Sequence, residues 1–402
     1  MQKLAPLMVG ALVAWLNMAH AQEPDYIIQS NAAPLNPLSV SPLAQPRPAP
    51  APPPTSAPPA APVSVPQVVP PAPVPTPAPV PQAASAPQPM PLASSKPKLK
   101  IGVLLPTGSA TFGEAAQVVR DGMDAAAATD GQAELVYVDE QTRDLVARYR
   151  ALVASGVRVV VGPLTRPGIA AIAKDVSVPT LALNAVDPAL KASPRLLSLS
   201  LIVEGEARQV VRIMQEDGRG KPLVVSTADP LSRRLTQAFV DEWQKRTGVT
   251  PSVLDWPFDA AMTGALAQAD AVFIAMTPHE ASALKAALPA TLSVYATSQL
   301  DTRKPDASLA GIRFIDMPWF LMPGQEQVKH YPRPSAALTM QTERLYALGI
   351  DAYRLAVLMA NGKPAPGTLK LSGVTGDLML GHDRQFERTL PLAVMMPDNN
   401  GQ

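Results

Sequence analysis

Residues that could do covalent chemistry are scarce in this sequence. Its 402 residues include 4 histidines and no cysteine. His279, His330 and His382 each lack a second histidine, or a Glu–His pair, at the helical spacing of a zinc site. Ser109 lies in Thr-Gly-Ser-Ala, without the G-x-S-x-G pattern of a serine nucleophile. We therefore expect no catalytic residue, no metal ion and no cofactor.

Two adjacent acids, Asp139 and Glu140, end a predicted strand and could form an acid–base pair. Solvated acids at strand ends are common, however. The run from Gly102 to Gly108 has no lysine after it and does not match a phosphate-binding P-loop. An enzyme, such as a hydrolase, would thus lack a recognisable nucleophile, base or metal set.

Small polar residues that follow apolar runs could instead hold a ligand. Hydroxyl groups, amides and the free N–H groups of helix N-termini suit a carboxylate or another polar head group. In an open parallel sheet the ligand crevice lies at the carboxyl ends of the strands. The candidates for such a cleft are Thr107, Gly108, Ser109, Gly162, Thr165, Asn184, Thr227, Thr277, Thr297 and Ser298. The alternative is that these residues only cap helices and close turns.

A second candidate surface is aromatic and apolar. Met317, Pro318 and Trp319 lie in an irregular stretch after a predicted strand. Such a group could form a partner surface, since aromatic residues are enriched among the residues that dominate protein interfaces. Alternatively, it could be buried as a plug in a hinge.

Strands and helices that would position these residues alternate along residues 99–397. Runs rich in Val, Ile and Leu, at 99–105, 158–162 and 179–184, are typical of strands buried on both faces. Their alternation with amphipathic helices predicts parallel sheets built from βαβ units. Two such series predict an α/β fold with two doubly wound parallel-sheet lobes joined by a multi-crossing hinge, whose cleft would bind by closure.

Each lobe is expected to combine two segments of the chain. The segments are 99–200 with 300–362 for lobe one, and 201–299 with 363–397 for lobe two. Late in the chain, we expect helices at 335–348 and 350–361, and strands near 375–380 and 385–395.

The amino-terminal residues have the features of an export signal followed by a tether. Lys3, an apolar run and Ala19-His20-Ala21 match a signal peptide covering residues 1–21. Residues 22–98 are so rich in proline that a disordered, extended tether is expected. With no cysteine to lipidate, the expected product is a soluble periplasmic protein that is not a lipoprotein.

The formal net charge of +1 argues against a nucleic-acid partner and against a polybasic membrane-binding surface. The apolar runs after the signal are of strand length, so no integral membrane segment is expected once the signal is cleaved.

Several motifs resemble those of one family. Asp-Met-Pro-Trp at 316–319 and Leu-Tyr-Ala-Leu-Gly-Ile-Asp-Ala-Tyr at 345–353 resemble the LppC-like family of penicillin-binding-protein activators. Weaker matches, such as Val-Gly-Pro-Leu at 161–164, extend the resemblance in order over about 99–395. The resemblance implies a type I periplasmic-binding-protein fold without catalytic activity, and docking on a peptidoglycan synthase.

These observations favour a non-catalytic periplasmic regulator of peptidoglycan synthesis that acts by docking on a penicillin-binding protein. The alternative is a periplasmic receptor for an amino-acid-like molecule, or the substrate-binding protein of a transporter, with a small polar ligand in the cleft. Fold alone does not separate the two functions.

Overall fold

The computed structural model describes residues 27–29, 98–257, 262–304 and 306–397. The expected signal peptide and most of the expected tether lie outside the described residues, so both stay predictions. One short strand, β1 (Ile27–Gln29), is described within the segment predicted to be disordered. Among the helices described, none combines the length and the hydropathy that crossing a membrane requires.

Lobe one is a five-stranded parallel sheet with the spatial order β3-β2-β4-β5-β6. Its strands are β2 (Leu99–Leu105), β3 (Ala133–Asp139), β4 (Val159–Val161), β5 (Thr180–Ala182) and β6 (Leu196–Ser198), and its connecting helices are α1 (Gly113–Asp130), α2 (Leu145–Ala154) and α3 (Arg166–Ile172). Val159 and Val161 pack in one apolar cluster and Val160 in another. The sheet is therefore buried on both faces, as its continuous apolar runs predict.

Lobe two is a seven-stranded sheet with the order β1-β15-β11-β10-β9-β7-β8, in which β1 and β15 (Leu392–Val394) run antiparallel to their neighbours. Its parallel strands are β7 (Pro222–Ser226), β8 (Ser252–Asp255), β9 (Ala271–Ile274), β10 (Ser293–Ala296) and β11 (Arg313–Ile315). Its helices are α4 (Glu204–Glu216), α5 (Pro230–Thr247), α6 (Met262–Gln268) and α7 (Pro278–Ala287). Phe239 stacks on Phe273 with ring centroids 4.4 Å apart, which fixes α5 on the sheet.

The described chain passes between the lobes three times. It enters lobe two after β6 and leaves it after β11 through α8 (Pro318–Leu321) and α9 (Glu326–Lys329). The long helix α10 (Met340–Asn361) then packs on α1 of lobe one. A small antiparallel sheet of β12 (Lys370–Ser372), β13 (Asp377–Leu380) and β14 (Phe386–Thr389) precedes the return to β15. The architecture confirms two parallel-sheet lobes with a multi-crossing hinge.

Two glycines allow α1 and α10 to approach closely. A Cβ atom at Gly122 would lie 2.1 Å from the carbonyl oxygen of Tyr346, and one at Gly349 would lie 2.1 Å from that of Val119. Neither contact can be relieved by a side-chain movement, because both involve helix backbone.

Three expectations for the end of the chain are wrong. The strand expected near 385–395 is two strands, β14 and β15, which belong to different sheets and are separated by Pro391, a residue with no N–H to donate. The helices expected at 335–348 and 350–361 are a single helix, α10, because Gly349 serves the contact with α1 rather than a break. Strand β11, expected in lobe one, pairs with β10 of lobe two, with Phe314 opposite Ala296. The second crossing therefore lies after residue 315 and not near residue 300.

Candidate functional site

The first loop of lobe one, between β2 and α1, is held by the end of β3. The backbone N–H of Gly108 donates to Asp139 Oδ2 at 2.7 Å, and the Thr107 hydroxyl reaches the same oxygen at 3.3 Å. Ser109 Oγ accepts from the backbone N–H of Phe112 at 3.1 Å. The polar groups predicted to meet a ligand here are thus engaged within the chain.

The loop between β4 and α3 is filled by a buried carboxylate, that of Glu140. Its oxygens accept from the backbone N–H of Leu164 at 2.9 Å, from the backbone N–H of Thr165 at 3.2 Å and from the Thr165 hydroxyl. Burial raises the pKa of Glu140, and these hydrogen bonds to its charged form oppose the rise. Thr165 also caps α3 by accepting from Gly168 at 3.1 Å. A carboxylate therefore occupies this loop, and it belongs to the chain itself.

The remaining two ligand-cleft candidates of lobe one, Gly162 and Asn184, help to position the loop that contains Leu164. Gly162 has φ +94°, and a Cβ atom there would lie 2.0 Å from the carbonyl oxygen of Leu104. Asn184 Nδ2 donates to the carbonyl oxygen of Leu164 at 3.2 Å. Both residues fix the position of the Leu164 loop that Glu140 binds.

In lobe two the corresponding loops leave a small cavity of about 110 Å³. Its polar lining includes Thr227, Asp229, Ser232, Thr277, Glu280 and Gln299. Thr277 forms a capping box with Glu280, accepting from its N–H at 3.4 Å while its own N–H donates to Glu280 Oε2 at 3.0 Å. Ligand pockets usually measure roughly 300–1,000 Å³, so this cavity suits a water-sized or very small polar occupant.

Ser298 and its neighbour Thr297 are buried beside the hinge. The backbone N–H of Ser298 donates to Glu206 Oε2 at 3.1 Å, and its carbonyl oxygen accepts from Arg344 Nη2 at 3.3 Å. Arg344 Nη2 also donates to Asp316 Oδ2 at 2.7 Å, across the second crossing. Burial raises the pKa of Asp316 to about 7, against the opposing effect of Arg344.

The expectation that Met317, Pro318 and Trp319 form a partner surface is wrong, because all three are buried. Trp319 Nε1 donates to Glu343 Oε1 of α10 at 2.8 Å, and the guanidinium of Arg333 lies 4.0 Å from its ring centroid. The group is a plug in the hinge, which is the alternative that the sequence left open.

Three residues that organise the site were not singled out as binding groups by sequence reasoning. The sequence suggests only catalysis for Glu140, Asp316 stands in one family motif, and Arg344 immediately precedes another. A usable signal existed for Asp316, since a single charge inside the apolar run Phe-Ile-Asp-Met predicts a buried, paired group. No group of residues in the described part of the chain is arranged to hold a metal ion.

The two parallel-sheet lobes, the three crossings and the polar loops at the strand ends define a type I periplasmic-binding-protein-like fold. The chain belongs to the LppC family: the family model, described as "LppC putative lipoprotein", matches residues 90–266 and 265–394.

Three individual proteins show the range of this similarity. A structure from Chromobacterium violaceum, described as a "putative branched-chain amino acid ABC transporter", is 54% identical, with a TM-score of 0.70, and covers 74% of this chain and 100% of its own. The C-domain of LpoA from Haemophilus influenzae, described as a regulator of PBP1A, is 25% identical, with a TM-score of 0.62, over 74% of this chain and 97% of its own. Penicillin-binding protein activator LpoA of Yersinia pseudotuberculosis is 28% identical over an alignment of 318 residues, and the match covers 64% of this chain and 48% of the relative. The chain thus spans about half the length of the curated relatives it matches.

Proposed function

We propose that this protein is a non-catalytic, periplasmic regulator of peptidoglycan synthesis that docks on a penicillin-binding protein. Relatives named as activators of penicillin-binding proteins, and the LpoA C-domain described as a regulator of PBP1A, support this function. The single observation that favours docking over ligand reception is the Glu140 carboxylate in the β4–α3 loop.

That carboxylate competes with any acidic ligand. An amino acid entering this loop would have to displace Glu140 from two backbone N–H groups and a hydroxyl. The displaced carboxylate would then need new partners, because a buried charge without them is costly. The cavity in lobe two measures about 110 Å³. Strand-end loops occupied in this way suit a protein that acts through its outer surface.

A second candidate function is reception of a small molecule for transport. It is favoured by the Chromobacterium violaceum structure, whose description names an amino acid transporter. A thermal-shift screen with branched-chain and other amino acids tests it, since a ligand at 100 times its dissociation constant stabilises by about 2.7 kcal/mol. We expect no shift, and a reproducible shift that a matched D-amino acid does not give would favour the receptor function.

The docking function is tested with the purified protein and the bifunctional penicillin-binding proteins of the same organism. We expect one synthase to be retained by the immobilised protein and its cross-linking rate to rise when the protein is added. An unrelated exported binding protein serves as the control. Absence of binding to every synthase would contradict the proposal.

Export and spacing are part of the same proposal. Residues 1–21 would direct export. Because Ile27–Gln29 of the expected tether pair with β15 of lobe two, the part that would act as a spacer is residues 30–97, between β1 and the first strand of lobe one. Because none of the 402 residues is a cysteine, we propose that the exported protein is not held by a thioether-linked lipid. Membrane fractionation with and without a salt wash tests this point, since a lipid-anchored protein resists the wash.

A further inference from the structure

The small net charge of this chain hides a strong segregation of charge in lobe one. Residues 113–140 contain seven acidic side chains and one basic, whereas residues 141–200 contain eight basic and three acidic. All eight of those basic side chains are exposed. A net charge near zero therefore does not describe the local surface of this lobe.

The topology gathers many of these cations at one place. The amino ends of parallel strands and the carboxyl ends of their connecting helices share one edge of the sheet, opposite the cleft. We define the basal edge as Lys98, Lys100, Arg150, Arg158, Lys174 and Arg195, all of them exposed. Arg158 precedes β4 and donates its backbone N–H to Lys100 of β2 at 3.0 Å, and Arg195 precedes β6.

Acidic neighbours neutralise only part of the basal edge. Asp175 pairs with Arg150, and Glu134 lies opposite Lys100 in the β2–β3 register. Across the part of the chain that the structure describes, no ion pair involves the other four basal side chains. Partial negative charge at the ends of α2 and α3 favours nearby cations but does not balance this number.

Within the described ranges, no exposed large apolar side chain accompanies the basal edge. The exposed large apolar side chains of the described residues lie elsewhere: Phe112, Val249, Val253, Leu358 and Met379. A basic surface without aromatic anchors is unlike the core of a protein interface and is typical of surfaces attracted to anionic lipid headgroups.

We propose that the basal edge attaches the folded lobes to an anionic lipid surface. The attachment is electrostatic and peripheral, and no side chain is inserted into the bilayer. Such a surface is the opposite of what the formal net charge alone predicts. The family description names a lipoprotein, and a charged surface offers a chain without cysteine another way to reach a membrane.

The test is sedimentation of the full chain, without its signal, with vesicles of phosphatidylcholine alone or mixed with phosphatidylglycerol. The basal variant is Arg158→Glu, Lys174→Glu and Arg195→Glu. The control variant makes the same change of charge at exposed sites on lobe two: Lys221→Glu, Arg233→Glu and Lys245→Glu. Circular dichroism and thermal melting establish that both variants fold.

We expect binding to the anionic vesicles only, lost at high salt because screening shortens the reach of the attraction. The basal variant should bind at least about 10-fold more weakly than the wild type, since each basic residue near such a surface strengthens binding severalfold. The control variant should lose much less. Equal binding to neutral vesicles, no binding by the wild type, or a basal variant that binds as well as the control variant would each overturn the proposal.

Discussion

In lobe one, β3 ends beside β2 and the residue after it, Glu140, donates its backbone N–H to Leu105 at 3.0 Å. In lobe two, β8 ends beside β7, and Trp256 donates in the same way to Ser226 at 2.8 Å. Glu140 and Trp256 thus stand at equivalent places of two similar sheets. One lobe has a carboxylate there and the other an indole.

This difference determines which carboxylate accepts the hydrogen bonds of the next loop in each lobe. Thr165 and Thr277 both cap the helix that follows the equivalent strands β4 and β9. In lobe one the Thr165 N–H is bonded to Glu140, 25 residues away, whereas in lobe two the Thr277 N–H is bonded to Glu280, three residues away. The loop after β4 in lobe one is therefore held by a carboxylate distant in sequence. The loop after β9 in lobe two is held by a carboxylate of its own helix, and a cavity remains beside it.

The hinge that joins the lobes should give the largest effect of any single change. Asp316→Ala would leave Arg344 buried without its carboxylate, and breaking such a pair costs about 3–5 kcal/mol. Urea denaturation should show this loss, and if the pair couples the lobes, the single transition should divide into two.

Arg234→Ala is the matched control, because it removes a partly exposed ion pair with Glu204 inside lobe two. Such pairs contribute about 0–1 kcal/mol. Equal losses in the two variants would mean that the hinge pair has no special role.

The comparison of the two loops is tested directly by Glu140→Ala and Glu280→Ala. The first leaves the buried N–H and hydroxyl of Thr165 and the partly buried N–H of Leu164 without an acceptor, for a loss of about 2–3 kcal/mol. The second removes an exposed capping partner and should cost less than about 1 kcal/mol.

Thermal melting of both variants measures the difference. If Glu280→Ala lost more stability than Glu140→Ala, lobe one would not depend on the Glu140 carboxylate.

Much of this architecture is predictable from sequence because its signals are local. The strands predicted at 99–105, 158–162 and 179–184 are β2, β4 and β5, because continuous apolar runs mark them in the sequence. Gly349 misled the prediction of α10, because a glycine that breaks a helix and one that admits a neighbouring helix look alike in sequence.

The content of the cleft could not be predicted in this way. Thr165 follows a predicted strand and stands out in sequence as a polar residue, but its partner Glu140 lies 25 positions earlier and meets it only because β3 and β4 flank β2. The same limit applies to Trp319, whose burial depends on α10 reaching back from residue 343.

A smaller effect should appear in the pH dependence of stability. Burial raises the pKa of Glu140 in the folded protein above its ordinary value. The folded state then binds the proton more readily than the unfolded state, so the stability from this group is greatest at low pH and falls as pH rises through the shifted pKa.

Glu140→Gln should therefore flatten the decline of the free energy of unfolding above about pH 4. Asp316, whose pKa is also raised by burial, has the same sign and is present in both proteins. The difference between the two pH profiles consequently isolates Glu140, and identical profiles would contradict the raised pKa that its burial causes.

The smallest expected effect is the rescue of a variant whose lobe-one loop lacks the Glu140 carboxylate. Glu140→Ala removes the built-in carboxylate but keeps the N–H groups of Leu164 and Thr165 and the Thr165 hydroxyl. Acetate or formate should then occupy the vacated place and stabilise the variant, by about 0.4 kcal/mol when its concentration equals its dissociation constant. Melting temperatures in acetate and in chloride at equal ionic strength measure this rescue, with Glu280→Ala as the control. Because the wild type already holds its own carboxylate, it should gain nothing, and equal gains in all three proteins would show a general salt effect instead of a closed anion site.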